Sequence, residues 1–313
     1  MKQTPIFHAP PTGTPQRYAA TIGFFDGVHR GHHFLLQQLL TLAGERALAP
    51  MVITFDRHPR QVVDPQWQPQ LLTTTDEKQS LLEAEGAGCV VVLPFDEQMA
   101  QLSARSFMQE VLARQLGVEV LLMGYDNRFG HRCDETFDDY VAYGRDLGID
   151  VVRACPLASQ GQCFSSSMVR RLLAGGDVGG AAQALGRNYQ LSGSVVHGHE
   201  IGRTLGFPTA NIQPDNPLKM VPRPGVYAVT VASEPQLPPH PAVMNIGHRP
   251  TFSGHRLTLE AHLLDYAGDL YEQRLTVSFV ARIRDEQHFD SPESLIRQMQ
   301  ADARQARALF ESM

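Results

Sequence analysis

The stretch Tyr18–His32, YAATIGFFDGVHRGH, decides how the first half of the chain is read. It leaves an apolar run, turns through Asp26 and Gly27, and enters a helical pattern near Gly31. Such a turn at a helix start gathers free backbone N–H groups and the positive end of the helix dipole, an arrangement that attracts phosphates. Gly31 carries no side chain to block a close approach. His29 and His32 stand three residues apart, hence on one side of the helical turn, where both rings can donate to phosphate oxygens. Taken alone, two histidines at such a place are more often ordinary solvated residues.

Outward from this stretch, short apolar runs alternate with helical patterns. YAATIGFF reads as a strand, HHFLLQQLLTLAGERAL as a helix, MVITF as a strand, DEKQSLLEAEG as a helix and CVVVLPF as a strand. SFMQEVLARQLG, VEVLLMGY, TFDDYVAYGRDLG and IDVVRAC continue the series. This repeating βα rhythm, with strands apolar on both faces, predicts an α/β domain: a parallel sheet covered by helices on both sides. After SSMVRRLLAG and DVGGAAQALG the rhythm changes to short β-rich runs separated by Gly and Pro: QLSGSVVHG, TANIQP, GVYAVTVAS, AVMNIG, LTLEAHLLDY and LTVSFVARI. These predict a second, all-β domain, a small barrel or sandwich. The boundary is expected near Gly186, giving domains 1–186 and 187–313, and the chain closes on a helix with Ser291 as N-cap and Pro292 in its first turn.

The bulk composition agrees. A length of 313 residues suggests two domains, and 42% hydrophobic against 19% charged residues excludes a disordered chain or a coiled coil. With net charge −6 and no block of like charges, neither a nucleic-acid surface nor an anionic-membrane surface is expected. No stretch approaches the length of a transmembrane helix. The four cysteines form no CxxC pair, and the opening MKQTPIFHAPPTGTPQR lacks the apolar core of a signal peptide, so a cytoplasmic protein is expected. No oligomeric state is read from the sequence.

A second informative stretch is Gly198–Ile212, GHEIGRTLGFPTANI. Its glycines at 198, 202 and 206 suit a flexible flap whose backbone N–H groups close over phosphates. No GKS or GKT follows, so it is not a Walker A loop. Thr209 and Asn211 lie two apart on a strand and share a face. Their oxygens are hard neutral ligands suited to Mg²⁺ that takes its remaining coordination from nucleotide phosphates and water. Alone, the tripeptide is better explained by a polar turn after Pro208. Glu260, in LTLEAHLLD, taken by itself is a solvated residue of an alternating strand, and Arg284 in IRDEQHF is a surface charge. His197–Glu200, HGHE, is a weak metal candidate without a third ligand. Trp67 in DPQWQPQ is expected to be exposed or to pack on its loop, more than to touch a ligand or partner.

GxFDGxHxGH, at Gly23, Phe25, Asp26, Gly27, His29, Gly31 and His32, resembles the HxGH signature of the nucleotidyltransferase superfamily, and its FDG extension resembles that of prokaryotic FAD synthetases. FDRHP (55–59), GYDNRFG (124–130) and SSSMVRRLLAGG (165–176) are similar to further motifs of that family in the same order. Departures stand at Phe24, Arg57, Asn127, Cys133 and Ser167, where the family usually has Asn, Pro, Phe, Gly and Thr. Serine keeps the hydroxyl of threonine. Asn127 lacks the aromatic face that would pack on a flavin. In the second half, GxxxGRxLGFPTANI, PGVYAVTV, NIGHRPTF, LEAHLLDYAGDLYEQRLTV and IRDEQHF are similar to riboflavin kinase from end to end.

Together these motifs resemble the bifunctional prokaryotic riboflavin kinase and FAD synthetase family. The resemblance implies a Rossmann-like adenylyltransferase followed by a Greek-key β-barrel kinase, with ATP as co-substrate, Mg²⁺ as cofactor, and riboflavin, FMN and FAD as substrates and products. It implies ATP contacts at Gly23, Phe25, Asp26, Gly27, Gly31, Ser165 and Ser166, and at Gly202, Arg203, Gly206 and Pro208. His29, His32 and Arg170 would act in adenylyl transfer, Glu260 would be the kinase base, Thr209 and Asn211 would hold Mg²⁺, and Asp126, Asn127 and Arg284 would contact flavin. Two alternatives stay open. One is a kinase whose first half has drifted; the other is a non-catalytic flavin-responsive module, which would have no need of both reaction centres.

Overall fold

Strands buried on both faces form where the apolar runs have no polar alternation. In the computed structural model, which describes residues 17–312 except 126, 132–133, 158–163, 198–206, 234–237 and 252–253, β1 (Tyr18–Ile22) is buried at every residue. It pairs in parallel with β2 (Ala49–Phe55) on one side and β4 (Val118–Met123) on the other. With β3 (Cys89–Leu93) and β5 (Asp150–Arg153) the sheet runs in the order β3-β2-β1-β4-β5. The order reverses direction between β1 and β4, the crevice where open parallel sheets bind ligands beyond their strand ends.

Alternate strand residues feed two cores. Ala20, Ile22, Met51, Ile53 and Leu121 face one side with Phe107, Met108, Leu112 and Tyr140. Ala19, Val52, Val90, Val120 and Leu122 face the other with Leu36 and Leu39, which lie on α1 (Arg30–Glu45). The expected helices at 76–86 and 136–148 appear as α3 (Thr75–Ala84) and α6 (Phe137–Leu147). Two short helices, α2 (Pro59–Val63) and α4 (Glu97–Gln101), were too brief to leave a periodic signal. The pattern SFMQEVLARQLG begins two residues earlier than expected, as α5 (Ala104–Phe107), capped by the Ser103 side chain, and continues as a π-helical Met108–Gln115.

The chain divides into two compact units, Met1–Phe164 and Ser165–Met313. This division precedes the expected boundary near Gly186. The reason lies in α7 (Ser166–Gly175) and α8 (Val178–Leu185), which pack within the second unit. The Arg223 N–H donates to the Leu173 carbonyl at 3.0 Å, and Ala181, Ala184 and Leu185 are buried. Gly176 closes α7 at φ 84°, where a Cβ would lie 2.6 Å from Arg282 Nε. Both the angle and the space demand glycine.

The second unit is a closed antiparallel barrel of β6 (Tyr189–Val196), β7 (Ala210–Pro214), β8 (Gly225–Ala232), β9 (His240–Thr251), β10 (Gly254–Leu263) and β11 (Arg274–Arg284), in the order β10-β7-β6-β11-β8-β9. β8, β9 and β10 follow one another as a meander while β11 returns beside β8, which is the Greek-key arrangement. Tyr227, Val229, Met244, Ala261 and Phe279 point inward and are fully buried. On the outer face α9 (Pro292–Glu311) lays Ala303 and Ala306 against Ala228 and Leu264, with Val243, Ala281 and Ile283 around them. Ser291 caps it, accepting from the Ser294 N–H at 3.2 Å, as the sequence predicts. Among the described residues no helix is long and apolar enough to cross a membrane.

Candidate active sites

The first site is built on the turn that follows β1. Three of its four residues lie in the left-handed region: Phe25 at φ 53°, Gly27 at 82° and Val28 at 38°. Glycine adopts this freely, whereas for Phe and β-branched Val it costs about 1 to 3 kcal/mol each, sustained only where the surroundings over-determine the conformation. The turn delivers His29 as the N-cap of α1 in extended conformation, φ −82° and ψ 172°. His29 and His32 come together as the spacing predicts, their rings stacked at 3.6 Å between centroids. The His29 N–H donates to His32 Nδ1 at 3.3 Å. That bond assigns the acceptor role to Nδ1, so the neutral ring carries its proton on Nε2. Gly31 is fixed by its neighbours: a Cβ there would lie 3.0 Å from the Phe164 carbonyl and 3.1 Å from the His29 ring.

Asp26, which the resemblance assigns to ATP contact, is turned into the fold. Its carboxylate is buried, with 3% of the residue exposed, and accepts from Leu72 N–H at 2.9 Å and 3.1 Å, Thr73 N–H at 3.0 Å and Thr73 Oγ1 at 3.2 Å. A carboxylate so engaged braces the turn from within. Asn127 also turns inward, its amide donating to the Ile22 carbonyl at the end of β1 and its N–H to Gly124 O at 3.1 Å. Gly23 ends β1 with its N–H on Ile53 O at 3.0 Å. Asp126 lies outside the described residues, as does Cys133. Phe24, where the family has Asn, sits edge-on to His58 at 4.8 Å, and His58 in turn meets Trp67 at 4.7 Å. Trp67 thus packs on its own loop, with Arg60 4.9 Å from its ring.

Ser165, Ser166 and Arg170 belong to the second compact unit. Ser165 is the N-cap of α7, accepting from the Met168 N–H at 3.2 Å. Ser166 opens the helix and Arg170 is half-buried one turn on.

In the barrel, register assembles the site. Asn211 of β7 pairs with Glu260 of β10, and Glu260 pairs with Asn245 of β9 on its other side. Directly paired residues share a face, so Asn211, Glu260 and Asn245 form one row on the outer surface of the barrel, alternating with the buried Ala210, Ala261 and Met244. Asn245 is the residue that sequence reasoning missed. NIGHRPTF was legible as a motif, but only the register shows which of its residues meets Glu260. Thr209, half-buried and immediately before β7, lines a cavity of about 670 Å³ with Pro208, Ala210, Ala261, Tyr266 and Tyr271. His262 Nδ1 lies 2.8 Å from the Pro208 carbonyl and steadies this entry. Gly202, Arg203 and Gly206 lie outside the described residues, and so does most of HGHE; His197 stacks on Tyr271 at 4.1 Å.

Arg284, which the resemblance assigns to flavin contact, is bonded within the fold. It lies in the same cross-strand row, paired with Val226 beside Asn245, but its guanidinium is committed to α9. Nε donates to Asp302 at 3.0 Å and 3.1 Å, Nη2 to Asp302 at 2.8 Å, and Nη1 to the Asp285 carbonyl at 2.9 Å. Gln298 adds a bond to Asp302 at 2.8 Å. This bidentate, largely buried pair fastens the helix to β11, a function that its surface-charge context in sequence did not reveal.

Family comparison agrees with both halves. The FAD synthetase family model matches residues 12–168 and the riboflavin kinase model residues 185–310. The bifunctional riboflavin kinase/FMN adenylyltransferase of Pseudomonas fluorescens is 41% identical over 93% of this chain and 92% of the relative. The protein of that name from Escherichia coli K12 is 40% identical over 93% and 92%, and that from Haemophilus influenzae 36% over 95% and 96%. A solved structure named as a macrolide-efflux protein from Streptococcus pneumoniae is 30% identical, with a TM-score of 0.85 over 94% of this chain and 95% of that one. With both family models matched in order, and with relatives this similar along nearly the whole length, the chain belongs to the family of bifunctional riboflavin kinase/FMN adenylyltransferases.

Proposed function

We propose that the chain converts riboflavin to FAD in two steps, at two separate centres. In the first, the barrel transfers the γ-phosphoryl group of ATP to the terminal ribityl hydroxyl of riboflavin. Glu260 accepts the hydroxyl proton as the oxygen attacks phosphorus. Thr209 and Asn211 would hold Mg²⁺, an ion that their hard oxygen donors suit, with Asn211 paired to Glu260. The ion would supply neutralisation of phosphate charge. The FMN so formed is the substrate of the second step. Its phosphate is already anionic and needs no base, so catalysis is positioning and charge neutralisation. His29 and His32 donate to the triphosphate while FMN attacks the α-phosphorus and pyrophosphate leaves.

The observation that carries this reading is the pairing of Asn211 with Glu260 across adjacent strands, which joins the proposed metal ligand and the proposed base in one row. We assign adenylyl transfer to residues 1–186 and phosphoryl transfer to 187–313, in the cytoplasm. Incubation of the protein with riboflavin, ATP and Mg²⁺, followed by chromatography, should yield FMN and then FAD. A second reading, a kinase with a drifted first half, draws on Asn127, whose amide is turned to Ile22 O where the family has an aromatic. FMN without FAD would favour it.

A further inference from the structure

We propose that Asp26, Thr73 and Lys78 are positioning residues for adenylyl transfer, which fix the left-handed turn that sets His29, His32 and the N-terminus of α1 against the triphosphate. The proposal rests on the reading of the first unit as an adenylyltransferase and adds to it the part that holds its phosphate turn in shape.

The strain in this turn needs an external hold, because Phe25 and Val28 both occupy backbone angles that their side chains disfavour. The segment Leu72–Lys78 supplies it. Thr73 Oγ1 donates to Asp26 at 3.2 Å and accepts from the Gly27 N–H at 3.0 Å, so one hydroxyl joins two consecutive residues of the turn. The backbone of Leu72 and Thr73 secures the same carboxylate. Lys78 reaches the residue before the turn: its Nζ donates to Phe24 O at 3.1 Å and to Phe55 O at 2.9 Å, tying the ends of β1 and β2 together. Thr54 Oγ1 adds a bond to the same Phe24 carbonyl at 3.1 Å.

This segment is itself rigid. Thr74 and Glu77 form a reciprocal cap at the start of α3, at 3.2 Å and 2.9 Å, and Thr75 Oγ1 donates to Asp56 O at 3.2 Å. Asp26, Thr73 and Lys78 are each at least nine-tenths buried. Their polar groups are bonded to the turn and to the end of β1, so their effect passes through the turn. A catalytic group displaced by about 1 Å loses on the order of 100-fold in rate, and this network is what keeps such a displacement from occurring.

The test uses Thr73→Val, which keeps the shape and removes only the hydroxyl, with Thr73→Ser as the conservative rescue and Lys78→Met as an independent variant. Hydrogen exchange is followed at the Gly27 amide and across β2, and FMN formation and FAD formation are measured on the same full-length chain. Thr73→Val should speed exchange at Gly27 while β2 stays protected. It should lower kcat for FAD formation from FMN by about 10- to 100-fold, with KM for FMN little changed and riboflavin phosphorylation untouched. Thr73→Ser should restore both, and Lys78→Met should reproduce the loss. Full adenylyl transfer in Thr73→Val and Lys78→Met, or unchanged exchange at Gly27, overturns the proposal. So does loss of protection throughout β2 without rescue by serine, because the contact would then hold the sheet and not the turn. An unmodified chain that makes FMN but no FAD contradicts the underlying adenylyltransferase reading instead, and shows it without any variant.

Discussion

The two proposed centres of this molecule are built in opposite ways. The turn proposed to bind phosphate in the first unit is contiguous in sequence, Gly23 to His32, and its geometry follows from three left-handed residues and a helix cap. The row in the barrel draws Asn211, Asn245 and Glu260 from three strands, and only the register of β7, β10 and β9 makes them neighbours. A local site is stiffened by what lies beneath it, here Asp26 and Thr73. A distributed site is stiffened by strand pairing and by whatever clamps the barrel, here α9 through Arg284 and Asp302. Damage should therefore travel differently from each.

The largest expected effect is in the barrel row. Glu260→Gln keeps the shape and removes the base, and it should lower FMN formation by about 10² to 10⁴, while FAD formation from supplied FMN continues. Undiminished kinase activity would remove Glu260 from the mechanism and with it the comparison. His29→Ala and His32→Ala should each slow FAD formation by about 10² to 10³, the usual worth of one donor to developing phosphate charge, and leave FMN formation intact. Kinetics with riboflavin and with FMN, measured separately, decide both.

Arg284→Met probes the clamp. It strands the Asp302 carboxylate, whose side chain is 4% exposed, and breaking a buried pair on one side costs about 3 to 5 kcal/mol. Denaturant unfolding of the full chain should show an earlier transition together with a fall in kinase activity, whereas adenylyl transfer persists. An unchanged unfolding curve would mean that apolar packing of Ala303 and Ala306 alone holds α9 in place.

The smallest effect is a pH dependence in the first unit. Burial pushes the Lys78 ammonium down from 10.5 to about 8, against the attraction of Asp26 and Asp56. Between those values the unfolded chain holds a proton that the folded chain has released. The folded state therefore gains stability as pH rises through this window, by at most about 1.4 kcal/mol per pH unit. Comparing denaturation midpoints of the unmodified chain and Lys78→Met from neutral to alkaline pH isolates the slope, and identical slopes would show that Lys78 keeps its charge throughout.

The same contrast explains what the sequence disclosed. The βα alternation, the closing helix with its Ser291 cap, and the placing of His29 and His32 on one side of a helical turn were legible because each depends on residues close in the chain. The inward turn of Asp26 was not, since its partners at Leu72 and Thr73 lie across a loop whose path no periodicity records. Asn245 and the commitment of Arg284 to Asp302 were hidden for the same reason: strand register and helix docking are tertiary. α7 carries a motif that reads with the first half, but its C-terminal end is anchored by Arg223 in the second unit. Packing, not motif order, decides the unit to which a helix belongs.

The central claim is that two self-sufficient centres act in succession on one chain, and complementation tests it most directly. Glu260→Gln and His29→Ala variants are mixed with riboflavin, ATP and Mg²⁺, and FAD is followed by chromatography. Neither variant alone should make appreciable FAD from riboflavin, whereas the mixture should, because FMN released by the His29→Ala chain is adenylylated by the Glu260→Gln chain. A mixture that accumulates no FAD, although each variant retains its own half-reaction, would contradict the account and show that the two centres cannot work apart.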